Sequence, residues 1–149
     1  MPDVPDWKAL IPHRGAMSLL DSVLDWDATR LAARSTSHAR ADNPLRDAAG
    51  RLHAVQLAEW GAQAAAVHGA LLARAAGHAA PRPGRLVSLR EVVLGAAFVT
   101  DPAPLDVEAS CLYRDAGGAQ YAFRVAQGGH LLAAGRVAVI HPGTTAPGA

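Results

Sequence analysis

Only one cysteine, Cys111, occurs in 149 residues, so no internal disulfide forms, a usage expected of a reducing cytoplasm. Charge of one sign is equally scarce. Fourteen basic against 13 acidic residues leave a net charge of +1, with no basic run to track a phosphate backbone, and nucleic-acid binding is not expected. Lysine is confined to Lys8, the remaining cations being arginines, which reads as a GC-rich codon bias and not as function. No charged-then-apolar leader opens the chain, and His68 and Arg74 interrupt its longest apolar stretch. A soluble, unexported, cytoplasmic protein without membrane contact is expected. No pair of histidines has metal-ligand spacing, and GxSxG, P-loop and dinucleotide fingerprints are missing, so neither a metal nor a cofactor is expected. Repeats and domain boundaries are missing too. With 50% apolar residues the chain is long enough for one domain with a real core, residues 1–142, followed by a disordered tail over 143–149.

What the chain does have is one long Ala- and Leu-rich stretch from His53 to about Gly77, free of proline and β-branched only at Val55 and Val67. It is expected to be one continuous α-helix. Glu59 and Gln63 lie four apart and share a face, while small or apolar neighbours such as Ala58, Ala62, Ala66 and Leu71 suggest a helix wrapped by other structure. A carboxylate inside such a wrapper is costly unless something uses it. A Glu59 that reaches solvent or an arginine partner is the ordinary alternative.

Around this helix the chain reads mostly as strands. Asp6 is a candidate N-cap for a short helical turn from Trp7 to Ile11, ended by Pro12. Residues 17–26 and 30–39 are expected to form two paired strands about a turn at Asp27-Ala28, and 42–51 a polar loop feeding the helix. Two prolines and a glycine in 79–85 stop the helix. Residues 86–99 form the next strand, with Gly95 marking a bulge or close approach. In 105–115 Leu105, Val107, Ala109, Cys111 and Tyr113 fall on one face, and Tyr121, Phe123 and Val125 do so in the following strand. The stretch 130–142 closes the meander. Two strands, a long helix and four antiparallel strands make an α+β pattern, a curved antiparallel sheet wrapped around one central helix.

Ile11-Pro12-His13-Arg14, followed by Met17, Leu20-Asp21 and Val23-Leu24, resembles the opening of 3-hydroxyacyl-acyl-carrier-protein dehydratases of the FabZ and FabA type. Glu59-Trp60-Gly61-Ala62-Gln63 is similar to the segment that begins their central helix. The resemblance is closest to the ApeP-like branch of aryl-polyene pigment clusters, through Asn43 to Arg46, the run from Ala62, and Pro81 to Gly84. It implies a hotdog fold and an enzyme that removes water from 3-hydroxyacyl thioesters on acyl carrier protein.

That chemistry requires a base for the C2 proton, an acid for the C3 hydroxyl, and donors at the thioester oxygen. The resemblance places Glu59 as the carboxylate and Gln63 as a residue that helps to fix it. The N–H groups at the helix start, those of Ala54 and Val55, are the substrate-binding donors. The family's loop histidine has no counterpart: counting back fourteen residues from Glu59 reaches Leu45, and its Pro-Gly before the helix is replaced by His53-Ala54. His13 is either a catalytic candidate or a buried residue that orders the N-terminal turn. His53, at the helix start, is either a base kept neutral by the helix dipole or a surface helix-end residue. His68 lies about 13 Å along the axis from Glu59, too far to cooperate, and reads as a core or interface histidine. His38, His78, His130 and His141 are expected to be solvated. Three functions remain open: a dehydratase, a hotdog acyl thioesterase working through Glu59 alone, and a non-catalytic or half-site subunit that partners an active dehydratase homologue. The fold implies a homodimer or heterodimer, and Arg40, Arg46, Arg82 and Arg85 are candidates for contact with an acidic carrier protein.

Overall fold

A computed structural model of the chain describes residues 7–10, 15–77 and 85–140. Two short strands, β1 (Ser22–Trp26) and β2 (Arg30–Ser35), precede the helix α1 (Ala58–Ala75). Four longer strands follow: β3 (Arg85–Leu94), β4 (Leu105–Asp115), β5 (Gly118–Gln127) and β6 (His130–Ile140). All pair antiparallel in one sheet of order β1-β2-β4-β5-β6-β3. The α+β hotdog arrangement is thus observed. Alternation dictates which face is inside: Tyr121, Phe123 and Val125 of β5 and Leu105, Val107 and Ala109 of β4 are buried beneath α1.

Helix and sheet approach closely because residue 61 has no side chain. A Cβ added to Gly61 would sit 2.6 Å from both Cβ and Cγ of Phe123, atoms too near the main chain to swing aside. Gly95, just past β3, likewise lies against the Leu131 carbonyl, the close approach its position suggested.

Several boundaries differ from the sequence expectation, each for an identifiable reason. Residues 17–20 are not strand. A 3₁₀ turn over Gly15–Met17 leads into a segment whose Leu19 N–H is taken by the Gln63 side chain instead of a neighbouring strand. β2 stops at Ser35 because Ser37–Ala39 curls into another 3₁₀ turn, with the Ser37 hydroxyl donating to Leu19 O at 2.6 Å. The helical stretch opens with a 3₁₀ turn, Ala54–Leu57, before α1 proper. The strand after the helix ends at Leu94, and Phe98 instead forms an isolated bridge with His53.

In β4 the expected face fails at Tyr113, because the ladder slips between Cys111 and Tyr113. Leu112 and Tyr113 both point outward, 48% and 59% exposed, and Arg114 turns inward against α1 at Gly69. A second irregularity interrupts β3 between Arg90 and Val93, where Glu91 adopts a left-handed φ of 53° and pairs with Arg136 at 3.0 Å. The Asp6 cap, the end of the first turn at Ile11, and the tail lie outside the described residues. Trp7–Leu10 is a 3₁₀ turn.

Gly61→Ala tests the helix–sheet contact. Alanine gains about 1 kcal/mol of helix propensity, but overpacking against Phe123 costs about 1–3 kcal/mol. A lowered melting temperature is expected in a thermal unfolding scan, and an unchanged or raised one contradicts the close contact.

Candidate functional site

α1 buries one side completely and leaves a stripe uncovered. Ala58, Trp60, Gly61, Ala64, Ala65, Val67 and His68 are buried, whereas Glu59, Ala62 and Ala66 are only half-buried and Val55, one turn before, is 42% exposed. Positions 55, 59, 62 and 66 follow i, i+4, i+3, i+4 spacing, so they form one continuous stripe at the helix start. The helix is therefore wrapped over most of its circumference, and Glu59 lies on the narrow stripe left half-covered. No described residue hydrogen-bonds or ion-pairs with its carboxyl group, so the arginine partner of the ordinary reading is not among them.

Gln63, although one turn from Glu59, serves the N-terminal segment. Its Oε1 accepts from Leu19 N–H at 3.0 Å and its Nε2 donates to Met17 O at 2.6 Å, with the residue 1% exposed. Trp60 adds a second fastening: its indole N–H donates to Ser35 Oγ at 3.2 Å and Ser37 Oγ at 3.1 Å, and both hydroxyls reach Leu19 O. Neither the Trp60 contacts nor the serines were legible from sequence, since nothing in their spacing marks a bond across 23 to 25 residues.

At the helix entry the two expected backbone donors differ. Ala54 N–H donates to Ala97 O at 2.9 Å, while Val55 N–H has no partner among the described residues. Val55 therefore offers the N–H at this end, reinforced by the helix dipole.

His53 occupies the cap of this turn with extended backbone, φ −72° and ψ 137°. Its ring packs 4.8 Å from Phe98, whose other neighbour is the Arg51 guanidinium at 5.0 Å. His53 Nε2 lies 2.9 Å from Asp47 Oδ2. Asp47 also accepts from the backbone N–H groups of Ala49 and Arg51 and from Arg51 Nε at 3.0 Å. These donors, the Arg51 N–H foremost and the His53 ring next, hold the Asp47 carboxyl far below the usual carboxylate range. Asp47 escaped the sequence reading, having no signature beyond a position six residues before His53. His13 lies outside the described residues.

His68 is a core residue, as expected. Its Nε2 donates to Asp27 O at 2.8 Å, which leaves Nδ1 to accept from Tyr121 OH at 2.6 Å, and Arg114 Nη2 donates to that hydroxyl at 3.2 Å. Burial pushes Tyr121 up to about 12 and lowers the His68 pKa. His38, expected to be solvated, is instead 2% exposed: its Nε2 reaches Asp101 O at 2.9 Å and burial lowers its pKa. The 3₁₀ turn after β2 folds it inward. His130 is exposed, and His78 and His141 lie outside the described residues.

Arg46 is not free for a carrier protein, since its guanidinium donates to the carbonyls of Arg40, Gly50 and His38. Arg40 lies 3.8 Å from Asp21. A cavity of about 310 Å³ lined by Leu24, Ala32, Asp106, Glu108 and Arg124 contains no residue of α1 and is remote from this chemistry. Among the described residues no cluster of His, Cys, Asp and Glu would hold a metal, and no helix is long and apolar enough to cross a membrane.

A six-stranded antiparallel sheet around one long helix is the arrangement of a hotdog protein. The ApeP-like family, described as ApeP dehydratase, matches residues 5–147. The chain belongs to this family of dehydratases. Among solved structures it is similar to a chain of the dehydratase heterocomplex ApeI:P from Xenorhabdus doucetiae, with 22% identity, a TM-score of 0.83, and coverage of 94% of this chain and 93% of that one. It is also similar to zebra fish thioesterase superfamily member 2 (17% identity, TM-score 0.59, 92% and 93% covered). S. sahachiroi AziG gives 17% identity and a TM-score of 0.58, with 84% and 91% covered. No curated protein matches the chain.

The two buried histidines give the fold a pH dependence of definite sign. In the unfolded chain both protonate as pH falls through about 6.5, whereas in the fold, with pKa lowered, they stay neutral to lower pH. The unfolded state then binds more protons, so acid destabilises. Between pH 7 and 5.5 the expected loss is up to about 1 kcal/mol per histidine, measured by denaturant unfolding. His68→Gln should reduce the loss by about half, and an unchanged slope contradicts the assignment.

Proposed function

We propose that the chain dehydrates 3-hydroxyacyl thioesters carried on acyl carrier protein, with Glu59 as the carboxylate that handles the C3 hydroxyl, in a site closed by a second hotdog chain. The observation that carries this reading is the placement of Glu59: half-buried, without a described partner, and on the same uncovered stripe as the Val55 N–H. A thioester oxygen at that N–H meets a preorganised donor and the positive end of the helix, where enolate charge develops. The substrate's C3 hydroxyl then extends toward the next helical turn, which Glu59 occupies.

Two features support a second chain. β3 hydrogen-bonds to β6 on one side only, and its other edge meets no strand among the described residues. That edge exposes Val87, Val93 and Leu94, with Val93 56% exposed, an apolar ladder suited to strand pairing. A chain paired there extends the sheet and brings its own surface toward the open stripe of α1. The similarity to one member of a dehydratase heterocomplex supports a non-identical partner. So does Leu45, which stands where the resembling enzymes carry a histidine. A half-site subunit is therefore the second reading, and a thioesterase reading is separable by the same assay.

The chain is offered a 3-hydroxyacyl and a saturated acyl carrier-protein thioester, with and without a histidine-bearing hotdog homologue. Enoyl product is expected from the first substrate, and Glu59→Gln should lower its rate by about 10²–10⁴ while leaving the melting temperature in place. An unchanged rate removes Glu59 from the site. Thiol release from the saturated substrate in place of enoyl formation favours the thioesterase.

A further inference from the structure

The geometry points to His53 as the group that takes the C2 proton in this chain's own site, and to Asp47 as the positioning residue that presents it. The inference rests on the dehydratase reading and supplies the base that Leu45 cannot.

Asp47 is a fixed acceptor. Three N–H groups of Ala49 and Arg51 hold its carboxylate in place, and the His53 Nε2 contact of 2.9 Å completes the set. A carboxylate accepts, so Nε2 carries the proton, and in the neutral ring the lone pair falls on Nδ1. Among the described residues Nδ1 has no partner, and the side chain is 43% exposed, open to a substrate. The ring itself is held. Ala54 N–H to Ala97 O and Val99 N–H to Leu52 O pin the backbone on both sides of residue 53, and Phe98 supports the ring face. A carboxylate on one nitrogen of a half-exposed imidazole, an unpartnered second nitrogen, and a backbone donor two residues on at Val55 are the parts of an orienting acid, a base and an oxyanion donor.

The step balances within the substrate and two side chains. His53 Nδ1 accepts the C2 proton, and the C2–H electron pair becomes the C2=C3 bond. The C3–O bond breaks, and the hydroxyl leaves as water with the proton of the Glu59 carboxyl group. Exchange with solvent returns the proton from the imidazolium and restores the carboxyl group.

The test uses the full chain, alone and with a histidine-bearing hotdog homologue, and 3-hydroxybutyryl-pantetheine in deuterated water. Deuterium entry at C2 and enoyl absorbance are both followed. His53→Gln is expected to slow C2 exchange by at least 10²-fold. Asp47→Asn is expected to lower kcat about tenfold or more with KM within about twofold, because the imidazole loses its orientation and the substrate loses no contact. Since Asp47→Asn also loosens the loop, the ring-nitrogen NMR shifts of wild-type His53 give an independent reading. A protonated Nε2 with an unprotonated Nδ1 is expected, and the opposite tautomer overturns the assignment. C2 exchange at the wild-type rate in His53→Gln, with Glu59→Gln inactive, overturns the dyad and leaves the dehydratase reading standing. Absence of exchange and of enoyl product in the wild type, with and without the homologue, overturns both.

Discussion

The packing of α1 onto the sheet, tight on one side and open along one stripe, is the constraint from which the other features follow. The tight side depends on Gly61 meeting Phe123 without a side chain between them, and on the polar fastenings of Trp60 and Gln63. These fix the rotation of the helix about its axis. Once that rotation is fixed, Val55, Glu59, Ala62 and Ala66 must face outward together, and a carboxylate that would be an anomaly in the core becomes the polar group of an apolar, half-open surface.

The same packing separates the polar residues by role. Gln63, His68, Tyr121, Ser35 and Ser37 are buried and find partners within the chain, so their chemistry is absorbed by the fold. Arg46 is absorbed in the same way by three carbonyls. The Glu59 carboxyl group, the Val55 N–H and His53 Nδ1 find no partner among the described residues, and all three belong to the segment that enters α1.

Much of this was legible in the sequence. The period-2 runs gave β4, β5 and β6, and the Ala- and Leu-rich stretch gave the helix, because in each the burial pattern is carried by consecutive residues. Family resemblance carried the hotdog arrangement. Illegible features were those decided by distant partners. The slip at Cys111–Tyr113, which turns Arg114 inward, depends on β5 register. His38 is buried because a 3₁₀ turn follows β2, and Leu19 leaves the sheet because Gln63, 44 residues away, claims its N–H. Asp47 belongs with these: an acid in a polar loop has no signature until the chain folds it against the helix entry.

Carboxyl labelling of Glu59 by a carbodiimide and an amine, located by peptide mass spectrometry, tests the central claim most directly. Glu59 should label readily in the isolated chain and become protected when a hotdog partner and a 3-hydroxyacyl carrier protein are bound together. Equal labelling in the two states, with complex formation verified, would contradict a site formed where a second chain closes over the open stripe of α1.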